Sequence, residues 1–281
     1  DLLPSLLSQG FFGENQVGIQ TNLYIGSPRL ADLIYEKISA RMRARLHEEV
    51  AKAIEAQPEI ADYLEDLARH YFQANIAKKA VHYLMLAGNS AEKHYAYTNA
   101  IEHYKKALDI ITHKNAADPQ VLEVLKKIGQ AHLRAGQYDT ALKYYRWGLD
   151  VAKDQSADTD EYQKGIATIY FHKGLFSQAL EHFQTLLGSL ATQGKNTAHE
   201  LTLAASVHIA MGSYDEADKM LREALQQIKH DAKKEFQASI YRSCGEIHYM
   251  RGHWDNAMSY YLKAIEILKN SGDQALQAQV F

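Results

Sequence analysis

The sequence contains one cysteine, Cys244, and four prolines in 281 residues. A lone cysteine excludes an internal disulfide and any cysteine-built zinc cage, and it fits a reducing compartment. The prolines are Pro4, Pro28, Pro58 and Pro119, and none follows up to Phe281. A chain rich in Ala, Leu, Glu, Lys and Gln that avoids proline for so long stays helical almost throughout. No apolar run approaches the ~20 residues of a membrane span; the longest lies around Tyr83-Leu84-Met85-Leu86-Ala87. Charge of one sign is also missing. Lys plus Arg is 31, Asp plus Glu is 34, and the balance is −3. There is no basic surplus to neutralise nucleic-acid phosphates.

Catalytic signatures are missing too. There is no Gly-x-x-x-x-Gly-Lys-Ser/Thr or Gly-x-Gly-x-x-Gly loop for phosphates, no Gly-x-Ser-x-Gly elbow and no His-Glu-x-x-His. Paired carboxylates such as Glu48-Glu49 and Asp158/Asp160/Glu161 read as solvated helix faces or caps. The expectation is a chain with no cofactor, no metal and no enzymatic activity of its own, placed in the cytoplasm. Hydrophobic residues make up 46% and aromatics 10%, ample for a core, so a disordered chain is excluded.

What is present is a repeat. Gly136-Gln-Tyr138-Asp-Thr-Ala141, Gly174-Leu-Phe176-Ser-Gln-Ala179, Gly212-Ser-Tyr214-Asp-Glu-Ala217 and Gly252-His-Trp254-Asp-Asn-Ala257 share one pattern. Tyr95-Ala-Tyr97-Thr-Asn-Ala100 lacks only the glycine. Glycine ends a helix in the left-handed conformation. The aromatic two residues on packs into the joint, and the neighbouring Asp or Ser is placed to cap the next helix. The alanine lies where two helices cross closely. Four residues later Tyr104, Tyr145, Phe183, Leu221 or Tyr261 fills the space between helices.

Upstream of each turn a first helix carries Gly129, Ala167, Ala205 or Gly245, followed three residues later by His132, Tyr170, His208 or His248. The order of small, aromatic and alanine positions over two helices resembles the tetratricopeptide repeat, over about residues 81 to 270. The period near 39 exceeds that family's usual 34, as in the longer repeats of the maltose-regulon activator and the Leu-Gly-Asn proteins. The resemblance implies an all-α superhelical solenoid. An irregular first unit occupies 58–94, since Ala80 precedes Ala100 by half a period, so the helix from about Ala77 to His94 closes one unit and opens the next. Residues 272–281 read as the opening of another first helix. With Asp1 in place of Met, this implies a piece of a longer protein.

Residues 1–57 lack the repeat. Leu2 to Gly10 reads as a short helix, and Asn22-Leu23-Tyr24-Ile25 as a strand after a turn containing Gly13 and Gly18. Ser27-Pro28 opens a helix with Leu30, Leu33, Ile34 and Ile38, and another contains Leu46 to Glu55. This order suits a small winged-helix unit. The run Tyr24 to Pro28, Leu30 to Tyr35, Arg41, Arg43 and Arg45, Leu46-His47, Ala53 to Glu55 and Ala68 to Phe72 resembles the segment joining ATPase module and repeats in bacterial AAA-like or STAND-type signalling ATPases. In that family such ATPases are fused to cyclases, Ser/Thr kinases or transcription factors. Ile25 and Ser27 depart from the Phe and His common there. No ATPase residue is carried over. On a helix Lys37, Arg41 and Arg45 share a face, but nearby acids leave the segment near neutral and disfavour DNA.

Fourteen histidines invite a metal hypothesis. A slot that accepts His132, His208, His248 or Tyr170 is a packing slot, and Cys244, in line with Ile128, Ile166 and Ala204, is a buried small hydrophobe. The first helices of a stacked array line its concave side. Helical spacing points Glu123, Lys126, Gln130, Leu133 and Arg134, then Glu161, Lys164, Thr168, Phe171 and His172, then Thr202, Ser206 and Ile209, then Arg242, Glu246, Tyr249 and Met250 into it. The expected partner-binding set is Lys126, Gln130, Arg134, Lys164, Phe171, His172, Arg242, Glu246 and Tyr249. The expected partners are a protein or peptide in that groove and the chain's own upstream ATPase or effector domain, with no nucleic acid and no membrane. Chaperone-tail binding is disfavoured, because Gly165, His199 and Leu203 stand where its amide and basic groups are needed. A free-standing Leu-Gly-Asn-type adaptor and the effector-binding part of a transcription regulator are the alternatives.

Overall fold

The computed structural model describes residues 12–17, 20–25, 27–115, 117–228 and 234–269. A short hairpin pairs β1 (Phe12–Val17) antiparallel with β2 (Gln20–Ile25), Phe12 opposite Ile25 and Val17 opposite Gln20. Gly13 therefore lies inside β1 and not in the turn. Thirteen helices follow among the described residues: α1 (Pro28–Lys37), α2 (Ala40–Glu55), α3 (Leu64–Gln73), α4 (Ala77–Lys93), α5 (Tyr97–Lys114), α6 (Gln120–Arg134) and α7 (Tyr138–Asp154). They continue as α8 (Asp160–His172), α9 (Phe176–Thr192), α10 (Ala198–Ala210), α11 (Tyr214–Gln227), α12 (Lys234–Met250) and α13 (Trp254–Lys269). A 3-10 turn, Ile60–Tyr63, leads into α3.

The joints explain the regularity. Gly136, Gly174, Gly212 and Gly252 have φ between 72° and 76°, the left-handed region that glycine enters without a Cβ clash. Behind each, the same backbone bond closes the helix: Gln137 N donates to His132 O, Leu175 N to Tyr170 O, Ser213 N to His208 O and His253 N to His248 O, at 2.8–2.9 Å. Two earlier joints use the same geometry without glycine, through Asn75 and Tyr95, both at φ 60°. Ile76 N bonds Tyr71 O and Ala96 N bonds Ala91 O. α4 thus packs against both α3 and α5, as expected from the half-period step at Ala80. The residues expected to cap do something else. Asp139 and Asp215 lie one position inside their helices, whose N-caps are Gln137 and Ser213 without side-chain cap bonds. Asp139 instead meets Lys173, and Asp215 meets Arg251, tying each second helix to the end of the next first helix.

Packing follows one rule. Ala100, Ala141, Ala179, Ala217 and Ala257 are at most 2% exposed. A small first-helix residue stands sixteen positions before each large second-helix residue. A Cβ on Gly88 would enter the Tyr104 ring, and one on Gly245 would come within 2.6 Å of Tyr261. The same two places hold Ala167 with Phe183 and Ala205 with Leu221, all buried. A larger ring thus requires glycine opposite, and a smaller side chain tolerates alanine. The aromatic slot pairs similarly: His132 stacks on Tyr144 at 5.4 Å, Tyr170 on His182 at 5.5 Å and His248 on Tyr260 at 5.2 Å. Cys244 is buried beside Ile240 and Ile247, and burial pushes its thiol up to about 12.

The chain breaks between α1 and α2, where Ser39 Oγ accepts from Met42 N at 3.4 Å. Lys37 and Arg41 therefore lie on different helices and do not share the face a continuous helix would give. Arg45 pairs with Glu49 and Lys52 with Glu48. No residue of α1 is buried, and only Ala51 of α2 is. Ala51 and Ile54 join the cluster of Leu67, Tyr71 and Leu84, so the end of α2 is built into the solenoid core. The short helix expected before the hairpin and the helix opening expected at 272–281 lie outside the described residues.

Candidate partner-binding surface

Successive first helices touch one another directly, α6 with α8, α8 with α10 and α10 with α12. Among the described residues, no contact of that extent joins successive second helices. The stack is therefore tighter along the first helices. None of the nine expected groove residues is buried. Thr202, expected on the same side, is buried at 8% exposure and its hydroxyl donates to Ala198 O, because the helix turns it against its own preceding turn. Thr168 and Ser206 likewise donate to Lys164 O and Thr202 O.

Several groove residues already have partners. Lys164 Nζ lies 2.8 Å from Glu161 and 3.7 Å from Glu200, and burial of Glu200 is outweighed by His199 and Lys164, which hold its carboxyl low. His172 stacks on Tyr138 at 5.5 Å, and Phe171 contacts Phe176, so both rings serve the joint between α7, α8 and α9. Tyr249 is 51% exposed and meets Trp254 edge-on. Lys126 and Gln130 of α6 and Glu246 of α12 are half-buried, and Arg242 of α12 is exposed.

The residues missed from sequence are on α4. Glu92 is 8% exposed and shares a site with Tyr104, whose hydroxyl donates to Glu92 at 3.2 Å and to Asn89 at 2.9 Å. Lys127 and Arg134 of α6 stand 3.7 and 3.8 Å from the Glu92 carboxylate, and its Oε1 has no hydrogen-bond donor. A cleft of about 740 Å³ between α4 and α6 is lined by His82, Leu86, Asn89 and Glu123 and reaches Glu55 of α2. The clue was the Gly88–Tyr104 spacing, which makes α4 a first helix like α6. Among the described residues no group of three or more His, Cys, Asp or Glu is placed to hold a metal ion. None of their helices is long and apolar enough to cross a membrane.

Family models described as tetratricopeptide repeat match residues 96–154, 126–194 and 196–270. The chain belongs to the tetratricopeptide-repeat family, whose members mediate protein–protein interaction. A curated relative, the kinesin light chain-related protein 2 of Arabidopsis thaliana, is 24% identical over 187 residues. That match covers 59% of this chain and 27% of the relative, so the chain spans about a quarter of that protein. Two solved structures share the fold. One is the STAND protein with a tetratricopeptide-repeat sensor from Pyrococcus horikoshii, with 16% identity, a TM-score of 0.63 and coverage of 90% of this chain and 41% of that one. The other is the apo quorum sensor NprR of B. thuringiensis, with 16% identity, a TM-score of 0.64 and coverage of 90% and 74%. The winged-helix assignment gains no support from these matches.

Proposed function

We propose that this chain is a non-catalytic scaffold whose inner groove takes up a protein or peptide segment, and that it serves as the sensing arm of a larger signalling ATPase. The observation that supports the groove is that polar and aromatic side chains stay accessible on first helices that touch one another along the stack. Lys126, Gln130, Arg134, Lys164, Arg242, Glu246 and Tyr249 offer the mixture of charge, amide and ring that peptide grooves use. The ATPase reading is supported by the run from Tyr24 to Phe72 and by the shared fold with the STAND sensor across 90% of the chain. Residues 1–57 would then be the joining unit. The likeness to a quorum sensor favours a second reading, the effector-binding part of a regulator.

Affinity capture with the chain, beside a variant carrying alanine at Lys164, Arg242 and Tyr249, tests the groove, with helical circular dichroism checking that both are folded. Loss of a captured protein from the folded variant supports the assignment; equal capture places binding elsewhere. An encoded phosphate-binding loop upstream of these residues in the gene supports the ATPase reading.

A further inference from the structure

The first two helices are held to the solenoid by two polar ties of opposite character. Near the middle of α2, both ring nitrogens of His47 are engaged: Nε2 with Tyr35 Oη of α1 at 2.9 Å, and Nδ1 with His70 Nδ1 of α3 at 2.8 Å. At the end of α2, Glu55 accepts from Lys79 Nζ of α4 at 2.8 and 2.9 Å and from Tyr83 Oη at 2.6 Å, while Lys79 also donates to Tyr71 Oη at 2.8 Å. We propose that α2 is a proton-controlled hinge, in which the His47–His70 pair is a latch that acid opens and the Glu55–Lys79–Tyr83 cluster is the pivot that stays closed. The proposal rests on this joint alone and stands whether or not the groove binds a peptide.

The geometry dictates the direction. An Nδ1···Nδ1 hydrogen bond needs one nitrogen with a proton and one without. A first added proton leaves that possible, because His47 can then donate from both nitrogens, to Tyr35 and to His70. A second places two N–H groups against each other, and the contact opens. Cationic groups of α2 and α3 resist protonation: Arg43 and Arg69 lie near the pair, while Asp66, bonded to Arg69 at 2.6 Å, opposes them, and α1 brings only the neutral Tyr35 hydroxyl. Burial first and Arg69 second hold both imidazoles below their ordinary value, with Arg43 adding to the effect at His47. The latch is therefore intact above pH 6.5 and is lost as pH falls below it. At the pivot, burial would raise the Glu55 carboxyl, but hydrogen bonds from Lys79, Tyr71 and Tyr83 outweigh it and hold it at about 2. Mild acid thus frees α1 and the start of α2 while the end of α2 stays seated.

Spin-label distances measured on the whole chain test this, in a Cys244→Ala background that copies the alanine at Ala204. Labels at Glu36→Cys and Glu102→Cys report α1 against α5, and labels at Ala53→Cys and Glu102→Cys report the pivot. Between pH 7.5 and 5.0 the first distribution should lengthen and broaden and the second should hold. An unchanged first distribution, or equal change in both, overturns the hinge. The His47→Gln, His70→Gln pair should abolish the pH response, and a response that persists in it overturns the latch. Should that variant not fold, ring NMR of the unsubstituted chain decides: both imidazoles charging without any change in the Glu36–Glu102 distance overturns the proposal.

Discussion

At the scale of single residues, the joints separate what glycine does from what the turn does. Tyr95 occupies a left-handed position that glycine fills at four other joints, and its side chain is 79% exposed. The Cβ penalty there is about 1 kcal/mol. Tyr95→Gly is expected to raise unfolding stability by roughly that amount, and Gly136→Ala to lower it similarly, as read from urea midpoints. Gly245 shows the other use of glycine, room for a ring. Gly245→Ala should cost about 1–3 kcal/mol through overpacking against Tyr261. Combining it with Tyr261→Leu, which copies Ala205 and Leu221, should cost less than the sum of the two single changes. These pairs were legible in the sequence as small and large positions in register. That the joint aspartates bridge to the next repeat was not legible, because a residue beside a turn is equally placed to cap, and only the seating of the following helix decides.

At the scale of elements, three hairpins of helices hold an imidazole against a tyrosine ring. His132 Nδ1 donates to Gln137 Oε1 at 2.6 Å, His182 Nδ1 donates to Gln163 Oε1 at 2.6 Å, and His132 Nε2 has no partner. Burial holds both below the ordinary histidine value. The unfolded chain therefore takes up protons near pH 6.5 before these sites do, so stability is fully present above that pH and falls below it. Urea midpoints measured from pH 8 to 5 should decline through this window, and His132→Phe should flatten part of the decline. The tie at the end of α2 is also lost in acid, but only in a lower window, because its Glu55 carboxyl is held at about 2. Glu55→Gln should lower stability by about 1 kcal/mol at pH 7, a value discounted because Lys79 is 44% exposed. The histidine slot was legible from its repetition, but the His47–His70 contact joins residues 23 apart in irregular sequence, where no periodicity pairs them.

At the scale of the molecule, four core clusters succeed one another along the chain, with direct contacts confined to near neighbours. Stability in such an array is a sum of local terms and interfaces, so distant units need not unfold together. The two tryptophans report on this, Trp147 in α7 and Trp254 in α13. Single-tryptophan variants, Trp254→Phe and Trp147→Phe, should show separate fluorescence transitions in urea, with the Trp254 signal lost first because that residue is 61% exposed and its helix buries only Ala257, Ala264 and Leu268, against five residues in α7. Coincident transitions would mean that the interfaces, rather than the units, dominate.

Periodic spacing by itself determined that the chain folds as paired helices, where the turns fall and which small residues face which rings, because these depend on contacts within about forty residues. Tertiary structure alone decided that α4 carries a buried carboxylate, that Phe171 and His172 are spent on a joint, and that α2 is tied at two points that acid reaches in different pH windows. Each of those depends on which side chains distant segments bring together, and the distance and burial that set their chemistry exist only once the helices are packed.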